Sequence, residues 1–177
     1  MELAYWESYK AIAQKLKKRF MRKPKYDVAR DEYMHLAREL KKEGAHQPAA
    51  LCFLAVARCQ EAMANNTAMA KYTHEAARLY ISSVQYDVYS AYLPLADCIV
   101  DATNTYLLAV SMYLNIRKPS LASTLLLELA GTLYDLQLFE EAMLYYRKAH
   151  TLQQHTPLVA LATLQRVASC LIALGEW

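Results

Sequence analysis

Glycine and proline are scarce in this chain of 177 residues, which contains 3 glycines and 5 prolines. Tight turns between short strands depend on these two residue types, so a fold built from many strands is disfavoured. Hydrophobic residues make up 55% of the chain. The residues that fill its periodic segments, such as alanine, leucine, glutamate and lysine, lose little rotamer freedom in a helix. The sequence therefore predicts an all-α protein with a few sharp breaks.

Seven breaks divide the chain into eight predicted helices. Gly44 suits the left-handed position after a helix, and Asn65 or Asn66 suits that position less well. Thr156 followed by Pro157 is typical of a helix start. The other breaks lie near residues 23–24, 84–89, 118–119 and 137–139. The helices are expected near residues 3–20, 25–43, 48–64, 67–83, 91–116, 119–136, 139–154 and 157–174. Connections this short make neighbouring helices antiparallel.

The clearest internal repeat lies between residues 120 and 157. Its spacing is that of the two-helix tetratricopeptide repeat (TPR) when Ala142 is aligned with the small residue early in the second helix. The other aligned positions are Leu126, Leu129, Ala130, Leu133, Phe139, Tyr146 and Ala149. Leu126 and Ala130 replace the consensus tryptophan and glycine, so the repeat is TPR-like. A helix pair of this kind buries its apolar face only by stacking on the next pair, so residues 1–177 are expected to form a single TPR-like α-solenoid.

The last residues predict an unfinished repeat. Leu171 to Leu174, followed by Gly175, look like the end of a first helix and the turn that opens a second. A terminal repeat normally has a polar outer face. We therefore expect an apolar edge here, poor solubility of the isolated chain, and a chain that corresponds to the front part of a longer protein.

Positive charge is concentrated near the start of the chain, in a predicted basic helix over residues 3–25. Residues 1–25 contain eight basic and two acidic groups and so carry a net charge of +6, against +3 for the whole chain. The candidate partner-binding residues are the seven in the basic segment, residues 15–25: Lys15, Lys17, Lys18, Arg19, Arg22, Lys23 and Lys25.

Several ligands would fit this basic segment: an acidic protein surface, a nuclear import receptor, a phosphate-bearing membrane or a nucleic acid. A solvated helix face near a terminus has the same composition. A protein partner is the preferred interpretation. Nucleic acid comes last, because only Phe20 and Tyr26 offer rings for base stacking.

Tyrosine is unusually frequent, with 14 tyrosines against 3 phenylalanines. A tyrosine ring packs equally well at a protein interface or at the edge of a core, while its hydroxyl group stays hydrated. We expect about a third of the tyrosines to face a partner. Those along the middle and rear helices are Tyr80, Tyr86, Tyr89, Tyr92, Tyr106, Tyr113, Tyr134, Tyr145 and Tyr146.

The sequence contains no recognisable constellation for catalysis, cofactor binding or metal binding. A nucleophile paired with a base and a glycine-rich phosphate loop are both absent. His150 and His155 are five residues apart, which places them on different faces of a helix, so a shared metal is not expected. Glu140 and Glu141 fit a helix start, where the helix dipole stabilises carboxylates. We expect a protein that is not an enzyme.

The cysteines and the hydropathy pattern indicate a cytoplasmic protein. Cys52, Cys59, Cys98 and Cys170 lie in helical segments without a CxxC pair, as expected of buried thiols in a reducing compartment. The start of the chain lacks the basic and apolar regions of a signal peptide. No stretch of 18 uncharged apolar residues is present, so no membrane span is expected.

An ordered series of segments resembles one protein family. The segments are Tyr9, 15–24, 37–40 and 54–62, and more weakly 75–79, 127–130 and 168–170. They resemble the family of forty-kilodalton huntingtin-associated proteins. The resemblance implies a TPR-like, non-catalytic scaffold that binds huntingtin between its helical-repeat domains and stabilises it. It also implies a link to early endosomes through a small Rab GTPase. Family members continue past this chain with more helices and a proline-rich stretch.

A second resemblance, to the soluble NSF attachment proteins, leaves an alternative open. These proteins also stack TPR-like helices, and the resemblance implies a vesicle-fusion adaptor whose basic surface holds a helical bundle. A helical solenoid without a fixed partner is the third interpretation. Binding experiments distinguish the three, and good solubility of the isolated chain would favour the last.

Overall fold

A computed structural model describes residues 2–17, 24–90 and 95–175. The helices are α1 (Glu2–Leu16), α2 (Tyr26–Lys42), α3 (His46–Ala62), α4 (Asn66–Ser90), α5 (Leu95–Asn115), α6 (Pro119–Asp135), α7 (Phe139–Thr151) and α8 (Pro157–Leu174). Within these ranges no strand occurs. The predicted all-α class is therefore confirmed, with eight helices in the described parts of the chain.

Four of the turns that the structure describes share one geometry, each centred on a residue with positive φ. These residues are Gly44 (φ +77°), Ala64 (+60°), Arg117 (+57°) and Gln137 (+62°). In the last of these turns, the Gln137 N–H donates to the Tyr134 carbonyl and the Leu138 N–H donates to the Leu133 carbonyl, both over 2.9 Å. This paired arrangement is a Schellman turn. In all four turns, the next helix begins two residues after the residue with positive φ.

The spacing of these turns differs from the TPR spacing that the sequence alignment predicts. Gly44 and Ala64 are twenty residues apart, and so are Arg117 and Gln137. Helices α2, α3 and α6 each contain 17 residues. A helix pair with its turns therefore takes about forty residues, compared with about 34 in a TPR.

Three predictions about helix ends are wrong. The predicted basic helix over residues 3–25 ends early, because α1 stops at Leu16 and Lys25 lies outside a helix. The expected break at 84–89 does not occur, because α4 continues to Ser90. Positions 66–90 contain no glycine or proline, and valine and tyrosine lower helix propensity only slightly. Neither Asn65 nor Asn66 takes the left-handed position, which belongs to Ala64. Asn65 caps α4 instead, since its Oδ1 accepts a hydrogen bond from the Ala68 N–H over 3.2 Å.

The chain divides into two compact units, Met1–Thr105 and Tyr106–Trp177, and the division falls inside α5. In the first unit, α1 packs on α2, α2 on α3, and α3 on α4. In the second unit, α6 packs on α7 and α7 on α8. These five pairs of successive helices are thus packed neighbours, as the short connections between them predict.

A cluster of buried residues holds α1, α2 and α3 together in the first unit. Its members are Ile12, Ala29, Tyr33, Ala55, Val56 and Cys59. The Tyr33 hydroxyl donates to the Tyr9 carbonyl over 3.4 Å, and the two ring centroids lie 5.1 Å apart. These contacts join the middle of α1 to α2.

The core of the second unit consists largely of the positions that the repeat alignment singles out. Seven of them are buried: Leu126, Leu129, Ala130, Leu133, Ala142, Tyr146 and Ala149. Phe139 is half-buried and packs its ring on Tyr134, with the centroids 5.1 Å apart. Ala130, Ala142 and Ala149 are fully buried, so α6 and α7 approach each other closely at these small residues.

Candidate protein-interaction surfaces

The structure describes three of the seven residues predicted to bind a partner. Lys15 lies in the last turn of α1, Lys17 follows it, and Lys25 precedes α2; all three are exposed. Lys15 Nζ pairs with Glu32 Oε1 over 2.6 Å. One charge of the basic segment is therefore engaged with α2, whereas Lys17 and Lys25 face solvent. Lys18, Arg19, Arg22 and Lys23 lie outside the described residues.

The tyrosines whose side chains are described are all buried or half-buried. The buried ones are Tyr33, Tyr80, Tyr106, Tyr113, Tyr145 and Tyr146. Burial raises the pKa of Tyr80 to about 12, and the nearby Asp101 carboxylate acts in the same direction. The side chains of Tyr86, Tyr89 and Tyr92 lie outside the described part of the chain. Packing at core edges accounts for most of the tyrosines, and the expected partner-facing third stays a prediction.

A groove of about 420 Å³ lies between α6 and α8 in the second unit. Leu127 and Asp135 of α6 line one side, Ala162 and Arg166 of α8 line the other, and Tyr146 of α7 also reaches it. Burial raises the pKa of Tyr146, while the Arg166 guanidinium acts in the opposite direction. This α6–α8 groove combines apolar walls with an exposed acidic and an exposed basic side chain, which suits a segment of a partner protein.

The sequence did not reveal this groove, because its lining residues are far apart along the chain. A signal existed in the small residues Gly131 and Ala162, one on each of the two helices. A Cβ atom on Gly131 would meet the Tyr146 hydroxyl at 3.8 Å, an ordinary contact distance. A larger residue would therefore fit at position 131, so lack of space does not require glycine there. The absence of a side chain at Gly131 widens the groove.

Helix α8 leaves most of its apolar side chains exposed. Thr163, Val167 and Cys170 are its buried residues, and their spacing of three and four marks one helix face. On the opposite face lies the α8 stripe, which we define as Leu158, Leu161, Gln165, Ala168 and Ile172. The exposed fractions are 82% for Leu158, 56% for Leu161 and 66% for Ile172. The apolar edge expected near the end of the chain lies on this helix.

Helix α8 also bears on the expectation that the chain contains no membrane span. Of the described helices, only α8 is long enough and apolar enough to cross a membrane, and 17% of it is buried. Its single charge, Arg166, is outweighed by the apolar residues when hydropathy is averaged over 18 residues. A helix at the exposed edge of a helical repeat array can have the same length and the same mean hydropathy as a membrane-spanning helix.

The buried thiols and the histidines form no reactive or metal-binding group in the described chain. All four cysteines are buried, and burial raises the pKa of the Cys52 thiol to about 12. A thiol with so high a pKa is a poor nucleophile at neutral pH. His150 lies on α7 and His155 in the following loop. No group of three or more metal-ligating side chains occurs among the residues that are described.

Comparison with known proteins gives a consistent result. The family model described as "Soluble NSF attachment protein, SNAP" matches residues 7–171. The "40-kDa huntingtin-associated protein" of Rattus norvegicus and that of Mus musculus are each 36% identical to the chain over 167 residues. These alignments cover 92% of this chain and 43% of each relative. The chain therefore spans less than half the length of these curated relatives.

Proposed function

Because the chain belongs to the soluble NSF attachment protein family, we propose that it is a non-catalytic helical scaffold that binds huntingtin and stabilises it. The observation that carries the proposal is the similarity to two huntingtin-associated proteins over 92% of the chain. That similarity extends from α1 to α8 and is not confined to one repeat. A helical adaptor needs only surfaces that bind, and the described residues supply several.

Two kinds of surface support binding to a large helical partner. The basic segment offers Lys17 and Lys25, which are exposed, for an acidic region of the partner. The α6–α8 groove offers an apolar lining flanked by Asp135 and Arg166 for a protruding segment. Apolar contact supplies affinity, whereas the separated charges favour one register and speed association.

Co-expression with full-length huntingtin, followed by size-exclusion chromatography, tests the proposal. The test variant changes Lys17, Lys18, Arg19, Arg22 and Lys23 to glutamate. The matched control changes Lys41, Lys42, Arg58, Lys118 and Arg147 to glutamate; all five are exposed, and the change in net charge is the same.

We expect the wild type and the control to co-elute with huntingtin and the test variant to separate from it at moderate salt. Co-elution of the test variant would assign binding to the apolar surfaces instead. A wild-type chain that does not co-elute with huntingtin at any salt concentration would contradict the proposal.

Attachment to NSF is the alternative function, and the family match over residues 7–171 favours it. Purified NSF replaces huntingtin in the same chromatography experiment. Co-elution with NSF in the absence of a huntingtin complex would establish this alternative. Co-elution with huntingtin alone would eliminate it.

We further propose that the chain works in the cytoplasm and connects huntingtin to early endosomes through a Rab GTPase, as the family resemblance implies. Imaging of a fluorescent fusion in cells with and without huntingtin tests this. Endosomal signal that depends on huntingtin is the expected result. A nuclear or diffuse signal that is the same in cells with and without huntingtin would contradict this part of the proposal.

A further inference from the structure

Another groove of about 420 Å³ lies in the first unit between α2, α3 and α4, and we call it the α2–α4 groove. It is formed by side chains that lie between positions 30 and 72, on helices that pack on one another within this unit. Positively charged side chains in the lining outnumber negatively charged ones. The lining residues are Arg30, Asp31, Met34, His35 and Arg38 of α2, Gln60 of α3 and Tyr72 of α4.

A buried amide faces this groove. Gln60 lines it from the last turn of α3 and is only 5% exposed. Within residues 2–17, 24–90 and 95–175, no group forms a hydrogen bond with the Gln60 side chain. A buried amide without a partner is unfavourable, so a polar ligand in the groove would stabilise it. A glutamine amide has both donors and an acceptor, and therefore matches a peptide group.

The two arginines determine the charge of a suitable ligand. Arg38 is exposed and forms no ion pair with another described residue. Arg30 Nη2 pairs with Asp31 Oδ1 over 2.7 Å, but the Asp31 side chain is 69% exposed, and so exposed a pair is weak. Lys71 Nζ lies 5.9 Å from the centroid of the Tyr72 ring and adds a third positive charge beside the groove. Carboxylate groups complement this arrangement.

A nucleic acid complements it less well. The Asp31 carboxylate is part of the lining, and Glu39 Oε2 lies 3.4 Å from Nδ1 of the lining residue His35. A continuous chain of phosphates would meet both carboxylates. The Tyr72 ring is stacked on Phe53, with the centroids 6.3 Å apart, so one face of this ring is not free to stack on a base.

The spacing of the arginines indicates the spacing of the carboxylates. Arg30 and Arg38 are eight positions apart on α2, which corresponds to about 12 Å along the helix axis. In an extended peptide, side chains four positions apart lie on the same side and about 13 Å from each other. Met34 is half-buried midway between the arginines, where the central side chain of such a peptide would lie.

We propose that the α2–α4 groove binds an extended segment of a partner protein, in which an apolar residue has an acidic residue two positions away on each side. Arg30 and Arg38 bind the carboxylates, Met34 and Tyr72 contact the apolar side chain, and the Gln60 amide exchanges hydrogen bonds with the peptide backbone. Residues 18–23 and 91–94 contain no acidic residue, so neither segment supplies these carboxylates. This binding site is additional to the proposed huntingtin binding and does not depend on it.

Fluorescence anisotropy of the labelled peptide Ser-Glu-Thr-Leu-Thr-Glu-Ser, titrated with the full chain, tests the proposal. We expect saturable binding with a dissociation constant between about 10 and about 100 µM. Replacing both glutamates of the peptide by glutamine, or placing them side by side at its start, should each weaken binding at least about fivefold. Absence of saturable binding, or equal binding of the three peptides, would overturn the proposal.

Variants of the chain locate the binding site. Arg38→Gln should weaken peptide binding at least about fivefold, whereas Arg58→Gln is the matched control, because Arg58 is exposed on α3 and does not line the groove. Gln60→Leu should weaken binding but keep the wild-type midpoint in urea denaturation, because Gln60 has no hydrogen-bond partner to lose. Loss of stability without loss of peptide binding would show that Gln60 is purely structural and would overturn the proposal.

A labelled single-stranded oligothymidine in the same assay tests the competing class of ligand. We expect it to bind more weakly than the acidic peptide at physiological salt. Tighter binding of the oligothymidine, reduced by Arg38→Gln, would overturn the proposal and assign the α2–α4 groove to a nucleic acid.

Discussion

Gln153 Nε2 donates a hydrogen bond to Ser123 Oγ over 2.8 Å, which ties the loop after α7 to α6. The other end of the same amide accepts from the Thr163 hydroxyl on α8, also over 2.8 Å. All three side chains are buried. One glutamine thus joins α6, α7 and α8, the helices that surround the α6–α8 groove.

Replacing this glutamine tests its structural role. Gln153→Leu leaves the buried Ser123 hydroxyl without this partner, while the Thr163 hydroxyl can still donate to the Val159 carbonyl over 3.0 Å. We therefore expect a loss of about 1–3 kcal/mol in the free energy of unfolding. Gln154→Leu, at the exposed neighbouring position, is the control. Urea denaturation followed by circular dichroism measures both. Equal stability of the two variants would refute this role.

The Schellman turns predict opposite effects on stability for a substitution that removes a glycine and for one that introduces a glycine. Gly44 has a φ of +77°, and no atom lies within 4 Å of the position that an added Cβ would take, so Gly44→Ala introduces backbone strain without a clash. Ala64 and Gln137 already bear that strain. We expect Gly44→Ala to destabilise the fold by about 1 kcal/mol, and Ala64→Gly or Gln137→Gly to stabilise it by about 0.5–1 kcal/mol. Thermal denaturation of each variant measures these changes in stability. Destabilisation by all three substitutions would contradict the explanation by backbone strain.

These turns show how far the sequence determines the fold. Glycine has a low cost at positive φ, which predicts the turn at Gly44, and proline suits the first turn of a helix, which predicts the helix start at Pro157. Both predictions are confirmed. Arg117 and Gln137 have no such preference, so helix packing, and not local chemistry, holds them in the left-handed conformation. Thr156 precedes α8 but makes no side-chain cap; its hydroxyl donates to the Gln153 carbonyl over 3.2 Å.

Less of the candidate site than of the fold followed from the sequence. The basic segment is contiguous, so its composition reveals it directly. The α6–α8 groove unites Asp135 and Arg166, which are 31 positions apart, and only the packing of α6, α7 and α8 brings them to one surface. The exposure of Leu158 could likewise not be predicted from the sequence, because an apolar helix that is buried and one that lies at an edge have the same composition.

Stability should fall at alkaline pH. Burial raises the pKa of the Cys52 thiol from an ordinary 9.0 to about 12 and that of Tyr80 from an ordinary 10.0 to about 12. The folded state therefore holds these protons more tightly than the unfolded state. The stabilisation is complete below about pH 9 and is lost as the pH rises towards about 12. Denaturation midpoints at pH 7.5, 9 and 11 measure the decline, which Cys52→Ala should make shallower. A midpoint that does not change with pH would contradict the prediction.

Within the basic segment, Lys15 should contribute less to partner binding than Lys17. Lys15 is paired with Glu32 over 2.6 Å, whereas Lys17 is exposed and available to an acidic surface. Both side chains of the ion pair are partly exposed, so its loss should change stability by less than about 1 kcal/mol. We expect Lys17→Gln to weaken huntingtin binding more than Lys15→Gln does, as measured by biolayer interferometry. The reverse order would show that the Lys15–Glu32 pair opens on binding.

Direct binding of the purified chain to full-length huntingtin is the most immediate test of the proposed scaffold function. The immobilised chain is exposed to huntingtin and, in a parallel channel, to NSF, at low and at physiological salt. We predict saturable binding of huntingtin that weakens as salt increases and no binding of NSF. Saturable binding of NSF without binding of huntingtin would contradict the account and assign the chain to the attachment function of its family.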